Sequence, residues 1–146
     1  MNRAKLRENT FKLLYCNEFH DKSEMPKQYE LFWDNMEHIN SEEDGQSSEY
    51  KGFVSERDRE YISDRVGKVA EKVSEIDDAI NGVAVGWTTE RMSKVDLAIL
   101  RLAYYEMKID DEIPEKVAVD QAVELAKKYG SDDSPAFING ILAKLF

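Results

Sequence analysis

KVDLAILRLAYYEM, residues 94–107, decides the fold class. Leu97, Ala98, Ile99, Leu100, Leu102, Ala103, Tyr104, Tyr105 and Met107 put apolar side chains on nearly every side of a helix. A helix without a polar face belongs at a centre, with other elements packed around it. Ser93-Lys94-Val95-Asp96 has capping-box form, with a shorter acid than usual at the third helical position. The expected helix therefore spans 93–109.

The sequence on either side supplies amphipathic helices to surround it. After the turn IDDEIPE comes a helix over 115–129, with Ala118, Ala122, Leu125, Ala126 and Tyr129 on one stripe. Gly130 fits a left-handed C-terminal cap. Asp132, Asp133 or Ser134 can cap a last helix with Pro135 in its first turn, burying Ile138, Ile141, Leu142 and Leu145.

On the N-terminal side, Tyr61, Ile62, Val66, Val69, Val73, Ile76 and Ile80 recur at three- and four-residue steps. They predict one long helix over 55–81, capped by Ser55. NGVAVGW, 81–87, then reads as a loop, its two glycines too few and wrongly spaced to cradle a phosphate. MPKQYELFWDNMEHI, 25–39, predicts a helix with Pro26 near its start and Leu31, Phe32, Trp33, Met36 and Ile39 on its apolar side. A first helix is expected over 2–20, with Ala4, Phe11, Leu14 and Tyr15 on one broad side. NSEEDGQSSEYKG, 40–52, is a polar, acidic loop. The result is a single all-α domain over residues 1–146, a helical bundle around a central apolar helix.

Composition narrows the chemistry. Three prolines and seven glycines are too few for a many-turned β sandwich. No apolar run approaches the roughly 20 residues needed to span a bilayer, and the start lacks a signal-peptide pattern. A lone cysteine, Cys16, builds neither a disulfide framework nor a structural zinc site and fits a reducing, cytoplasmic setting. His20 and His38 fall on separate helices without the spacing of a metal pair, and no nucleophile-elbow, Walker or dinucleotide motif occurs. An enzyme is not expected, nor a metal or cofactor.

Charge singles out the start. The chain carries a formal net charge of −10, and 16–60 holds thirteen acids against five bases. In the first fifteen residues Arg3, Lys5, Arg7 and Lys12 face only Glu8. Overall acidity disfavours general nucleic-acid coating. It leaves room for a local basic site, because screening confines a charge to about 8 Å at physiological salt. Arg3 and Arg7 are i,i+4 neighbours, with Lys5 and Lys12 on another side, so a regular basic stripe is absent. Cations at a helix start oppose the helix dipole, whereas an incoming phosphate would meet both them and free N–H groups. Scattered cations on a solvated helix are the competing account. On the last helix Phe137 falls about 90° from the inward stripe at 100° per residue, placed either to stack on an unpaired base or to pack on a neighbouring helix.

KVDLAILRLAYYEM (94–107) and IPEKVAVDQAVELAKKYGSDDSPAFINGIL (113–142) resemble the NusB family of bacterial transcription antitermination factors. RAKLRENTFKLLY is similar to the family's arginine-rich first helix; between roughly 20 and 90 only the helix placement corresponds. The resemblance implies two three-helix halves, no cofactor and no catalysis. It implies binding of single-stranded boxA RNA from ribosomal RNA leader transcripts together with NusE, a small-subunit ribosomal protein, in a complex with other Nus factors on RNA polymerase. By position, Arg3, Lys5 and Arg7 match the basic RNA-contacting start, and Asp133, Ser134 and Phe137 match the capping segment that meets boxA. Tyr15 and Asp96 match the NusE interface.

Ala4 interrupts the arginine run, and Pro135-Ala136 replaces a pair that includes a lysine in some members. Both remove cations. A protein-interaction module that binds NusE without RNA specificity is therefore the alternative. Family members also form homodimers, on which this sequence is silent. NusB-like domains further occur ahead of rRNA cytosine methyltransferases, but 1–146 holds no Rossmann segment and no second cysteine.

Overall fold

A computed structural model describes residues 1–42 and 54–146, with side chains described for 1–36 and 54–146. Among these residues there are seven α-helices and no strand, so the expected all-α class holds. The chain divides into two compact units, Met1–Gly67 and Lys68–Phe146.

The first unit holds α1 (Arg3–Asn17), α2 (Met25–Glu42) and most of α3 (Glu56–Glu71). Asn2 caps α1, its Oδ1 accepting from Lys5 N at 2.8 Å. The α1 helix stops at Asn17, short of the expected end at His20, and a 3₁₀ turn over Lys22–Glu24 leads into α2 with Pro26 as its second residue. Phe11 and Leu14 are buried as expected, but Ala4 and Tyr15 are exposed, and Leu13 takes an inward place. Asn9 and Thr10 are buried too. Their side chains bond back to the helix, Asn9 Nδ2 to Lys5 O at 2.9 Å and Thr10 Oγ1 to Leu6 O at 2.7 Å. Such back-bonding lets polar side chains occupy an inward face, which hydrophobic periodicity cannot report.

In α2, Trp33 is buried, whereas Leu31 is exposed. The helix runs three residues past the expected end into the start of the predicted 40–52 loop. The rest of that acidic loop lies outside the described residues, as does the Ile39 side chain. Ser55 caps α3 as predicted, accepting from Asp58 N at 3.2 Å, and the Met1 ammonium lies 2.8 Å from Asp58 Oδ2.

The expected helix 55–81 is two helices. It breaks at Lys72 (φ −102, ψ 7), and α4 is Val73–Val83, running through Gly82 into the expected loop. Val69, Ile76 and Ile80 are buried on both sides of the break. A one-residue kink at this spacing leaves the apolar rhythm intact, and no Pro or Gly stands at the break to announce it.

In the second unit α5 (Lys94–Tyr104) is central, packing against α4, α6 (Glu115–Tyr129) and α7 (Ser134–Leu145). Its residues Asp96–Leu100, Leu102 and Ala103 are buried. The predicted continuation to 109 is a π-helical turn over Tyr105–Ile109, closed by Asp110 N donating to Tyr105 O at 2.9 Å. The wider turn keeps Tyr105, Glu106 and Met107 all buried. Arg101 fixes α5 to α4 through a two-point contact with Asp77, Nε–Oδ1 2.9 Å and Nη2–Oδ2 2.8 Å.

Gly130 ends α6, but not in the left-handed conformation the sequence suggested. Its φ is −88 and ψ −173. The glycine is needed for space. A Cβ there would stand 2.5 Å from both Cβ and Oγ of Ser134 and 2.8 Å from Ala126 O. The close α6–α7 connection, rather than a left-handed residue, demands it.

Candidate nucleic-acid and partner interface

The sequence-predicted residues fall into two groups, one in each unit. In the first, α1 carries Arg3 and Lys5 exposed and Arg7 half-buried. Lys5 and Lys12 each lie 3.7 Å from Glu8 Oε1, which places them on a common side, as the spacing predicts. Surface pairs of this kind are worth about 0–1 kcal/mol and leave the lysines available to a stronger anion. The helix start offers fewer free N–H groups than the sequence suggested, since Asn2 already occupies that of Lys5. One helical turn beyond Phe11, Tyr15 is exposed and meets Phe19 edge to face, centroids 5.0 Å apart at 71°. Phe19 is still more open and was not singled out in the sequence.

In the second unit the α6–α7 connection gathers Asp133, Ser134 and Phe137. Asp133 occupies the cap position of α7 with φ −86 and ψ −14, and its side chain makes no capping bond. It is exposed, while its carbonyl accepts from Phe137 N at 3.0 Å. The expected capping carboxylate is therefore only a backbone cap: an extended cap residue would aim its side chain at the first N–H groups, and this one is helical. Ser134 is buried, 2% exposed, with Oγ accepting from Ser131 N at 3.0 Å and 3.2 Å from Ser131 Oγ. Its hydroxyl ties the connection together.

Phe137 is half-buried and does meet another aromatic ring, though from a loop. Trp87 lies 6.0 Å away at 76°, and Arg91 Cζ stands 5.7 Å from the Trp87 ring centroid. Trp87 is 49% exposed. Sequence reasoning missed both partners, having treated 81–87 as a featureless connection. The available signal was an aromatic beside Gly86, outside any amphipathic pattern.

Asp96 stands at the start of α5. Its backbone N–H donates to Ser93 Oγ at 3.1 Å, so the predicted Ser93 cap forms. Its own Oδ1 is buried with no hydrogen-bond partner. Among the described residues no group of His, Cys, Asp and Glu could hold a metal ion, and no helix is long and apolar enough to cross a membrane.

Known proteins resemble the chain over its whole length. The transcription antitermination protein NusB of Agathobacter rectalis is 48% identical over 144 residues, covering 99% of this chain and 98% of that protein. That of Lachnoclostridium phytofermentans is 42% identical over 145 residues, with coverage of 99% and 98%. The solved structure of T. maritima NusB superposes with a TM-score of 0.74 at 30% identity, covering 99% of this chain and 90% of that one. A chain from the crystal structure of antitermination factors NusB and NusE with double-stranded RNA shares the fold, with a TM-score of 0.69 at 24% identity, 99% and 97% covered. The NusB family profile matches residues 4–146. On these grounds the chain belongs to the NusB family.

Proposed function

We propose that this protein is a transcription antitermination factor that binds boxA RNA of ribosomal RNA leader transcripts together with NusE, within a Nus-factor complex on RNA polymerase. The observation that carries this is the family match across residues 4–146, which takes in every residue of the two groups except Arg3. No catalytic step is involved. Arg3, Lys5 and Arg7 hold phosphates, giving an affinity that falls with salt. Phe137 contacts an unpaired base, and Ser134 shapes the connection that presents it. Asp133 sits exposed beside that base without a positive role. Tyr15 and Asp96 meet NusE. The exposed Tyr15 ring, edge to face with the still more open Phe19, supports this. Each ligand then raises affinity for the other by the same factor.

Anisotropy of labelled boxA-type RNA and a scrambled control, with and without NusE at two salt concentrations, tests the proposal. The expected result is a boxA preference, strengthened by NusE. In Arg3→Ala/Arg7→Ala the log–log salt slope should fall by about 0.7 for each phosphate no longer neutralised. NusE binding with no RNA preference would leave a protein-interaction module instead.

A further inference from the structure

Trp87 is an exposed aromatic on a loop that is held in place. Gly86, at φ +78, turns the chain just before it. Just after it, Thr89 N donates to Asn81 Oδ1 at 2.8 Å and Asn81 Nδ2 to Thr89 Oγ1 at 3.3 Å, tying the loop to α4. Arg91 N and Met92 N both donate to Thr88 O, at 2.9 and 3.1 Å, and the Met92 side chain is buried. These contacts hold the backbone that follows Trp87 before any ligand arrives. The ring is nonetheless left half open, next to Val85 at 83% exposure.

Phe137 meets the indole at 76°, so the two rings are not stacked face to face. Arg91, itself exposed, holds its guanidinium over the same indole. A pinned, half-open π surface with a cation beside it matches the two parts of an unpaired nucleotide, a flat base and an anionic phosphate. A buried apolar contact would need only the ring.

We infer that Trp87 and Arg91 form a nucleotide-binding element for single-stranded RNA, continuous with Phe137, in which a base stacks on the indole and Arg91 takes the adjoining phosphate. This rests on the RNA-binding function proposed above and extends it to the loop between α4 and α5. The element reads no particular base, because every base offers a π face; it adds affinity and fixes the strand's path past Phe137.

The two tryptophans make the test direct. Trp33 is buried and Trp87 is half exposed, so stacking should quench Trp87 emission. Full-length protein is titrated with a boxA-type single-stranded RNA, alongside Trp87→Leu and Arg91→Gln. Folding of each variant is checked by circular dichroism. Leu keeps apolar bulk under Phe137 but has no π face. The expected outcome is RNA-dependent quenching in the parent that disappears in Trp87→Leu, with affinity there weaker by about 5- to 100-fold. Arg91→Gln should bind several-fold more weakly, with a salt slope lower by about 0.7.

If the parent binds RNA with no quenching and both folded variants match its affinity, this inference is overturned while the proposed function stands. If the variants keep RNA but lose NusE, the surface is a protein contact and the inference is equally overturned. A parent that binds no RNA at all would remove the proposed function, and this element with it.

Discussion

Replacing Gly130 by alanine adds one methyl group at a position whose backbone angles any residue can adopt. At such sites Gly→Ala ordinarily stabilises, by about 0.4–1 kcal/mol, through the unfolded chain. Here the opposite is expected. The new Cβ would meet Ser134 Cβ and Oγ at 2.5 Å and Ala126 O at 2.8 Å. The hydroxyl could rotate away, but Ser134 Cβ and the Ala126 carbonyl are set by the backbone. Relief therefore requires the α6–α7 connection to shift. That shift strains Gly130 N–Ala126 O at 2.9 Å, Ser134 N–Ser131 O at 3.1 Å and Ser131 N–Ser134 Oγ at 3.0 Å. Overpacking costs about 1–3 kcal/mol and a weakened hydrogen bond about 1 kcal/mol; set against the unfolded-state gain, a net loss of about 1–3.5 kcal/mol is expected. For a chain of this size that lowers Tm by roughly 3–12 °C.

Urea and thermal unfolding followed by circular dichroism would measure the loss, and two further variants identify its cause. At a left-handed cap asparagine is tolerated far better than alanine. A steric cause makes Gly130→Asn at least as damaging as Gly130→Ala, and Ser134→Gly should recover part of the loss in the double mutant while Ser134→Ala recovers little. Neutral or stabilising Gly130→Ala, or a loss that Ser134→Gly leaves untouched, would refute the steric account.

Two smaller predictions concern charge. Asp133 is exposed and makes no side-chain cap, so Asp133→Asn should lose less than about 1 kcal/mol of stability, the size of a helix-dipole contribution. It should bind RNA at least as tightly as the parent; clearly weaker binding of the folded variant, in the same anisotropy assay, would give the carboxylate a positive role. Burial pushes the Cys16 thiol above its ordinary pKa, which lowers the thiolate fraction at any fixed pH near neutrality. Iodoacetamide should therefore modify Cys16 more slowly at about pH 8 than the single cysteine of an unstructured peptide, with a rate still climbing at about pH 9. Equal or faster reaction would show an accessible, activated thiol.

The central helix was legible because its signal is local: apolar residues all round need no knowledge of what surrounds them. Ser55 and Ser93 were legible as caps for the same reason, since a cap bonds within its own first turn. The basic start could be read from charge alone. Its residue-level roles came from family resemblance, because no spacing distinguishes a phosphate-binding arginine from a solvated one.

What resisted prediction depends on contacts between residues far apart in the chain, or on spacing that two geometries share. The kink at Lys72 leaves the three- and four-residue rhythm unbroken. Gly130 follows a helix, as a left-handed cap would, yet its role is set by how closely Ser134 returns. Asn9 and Thr10 look like surface residues until back-bonding satisfies them inside. Trp87 and Phe137, fifty residues apart, become neighbours only when the α4–α5 loop is tied to Asn81 and the tight α6–α7 connection brings the last helix back. Sequence patterns record what each segment can bury; which segments then share a surface is settled by packing, where close approach at one glycine outweighs local preference.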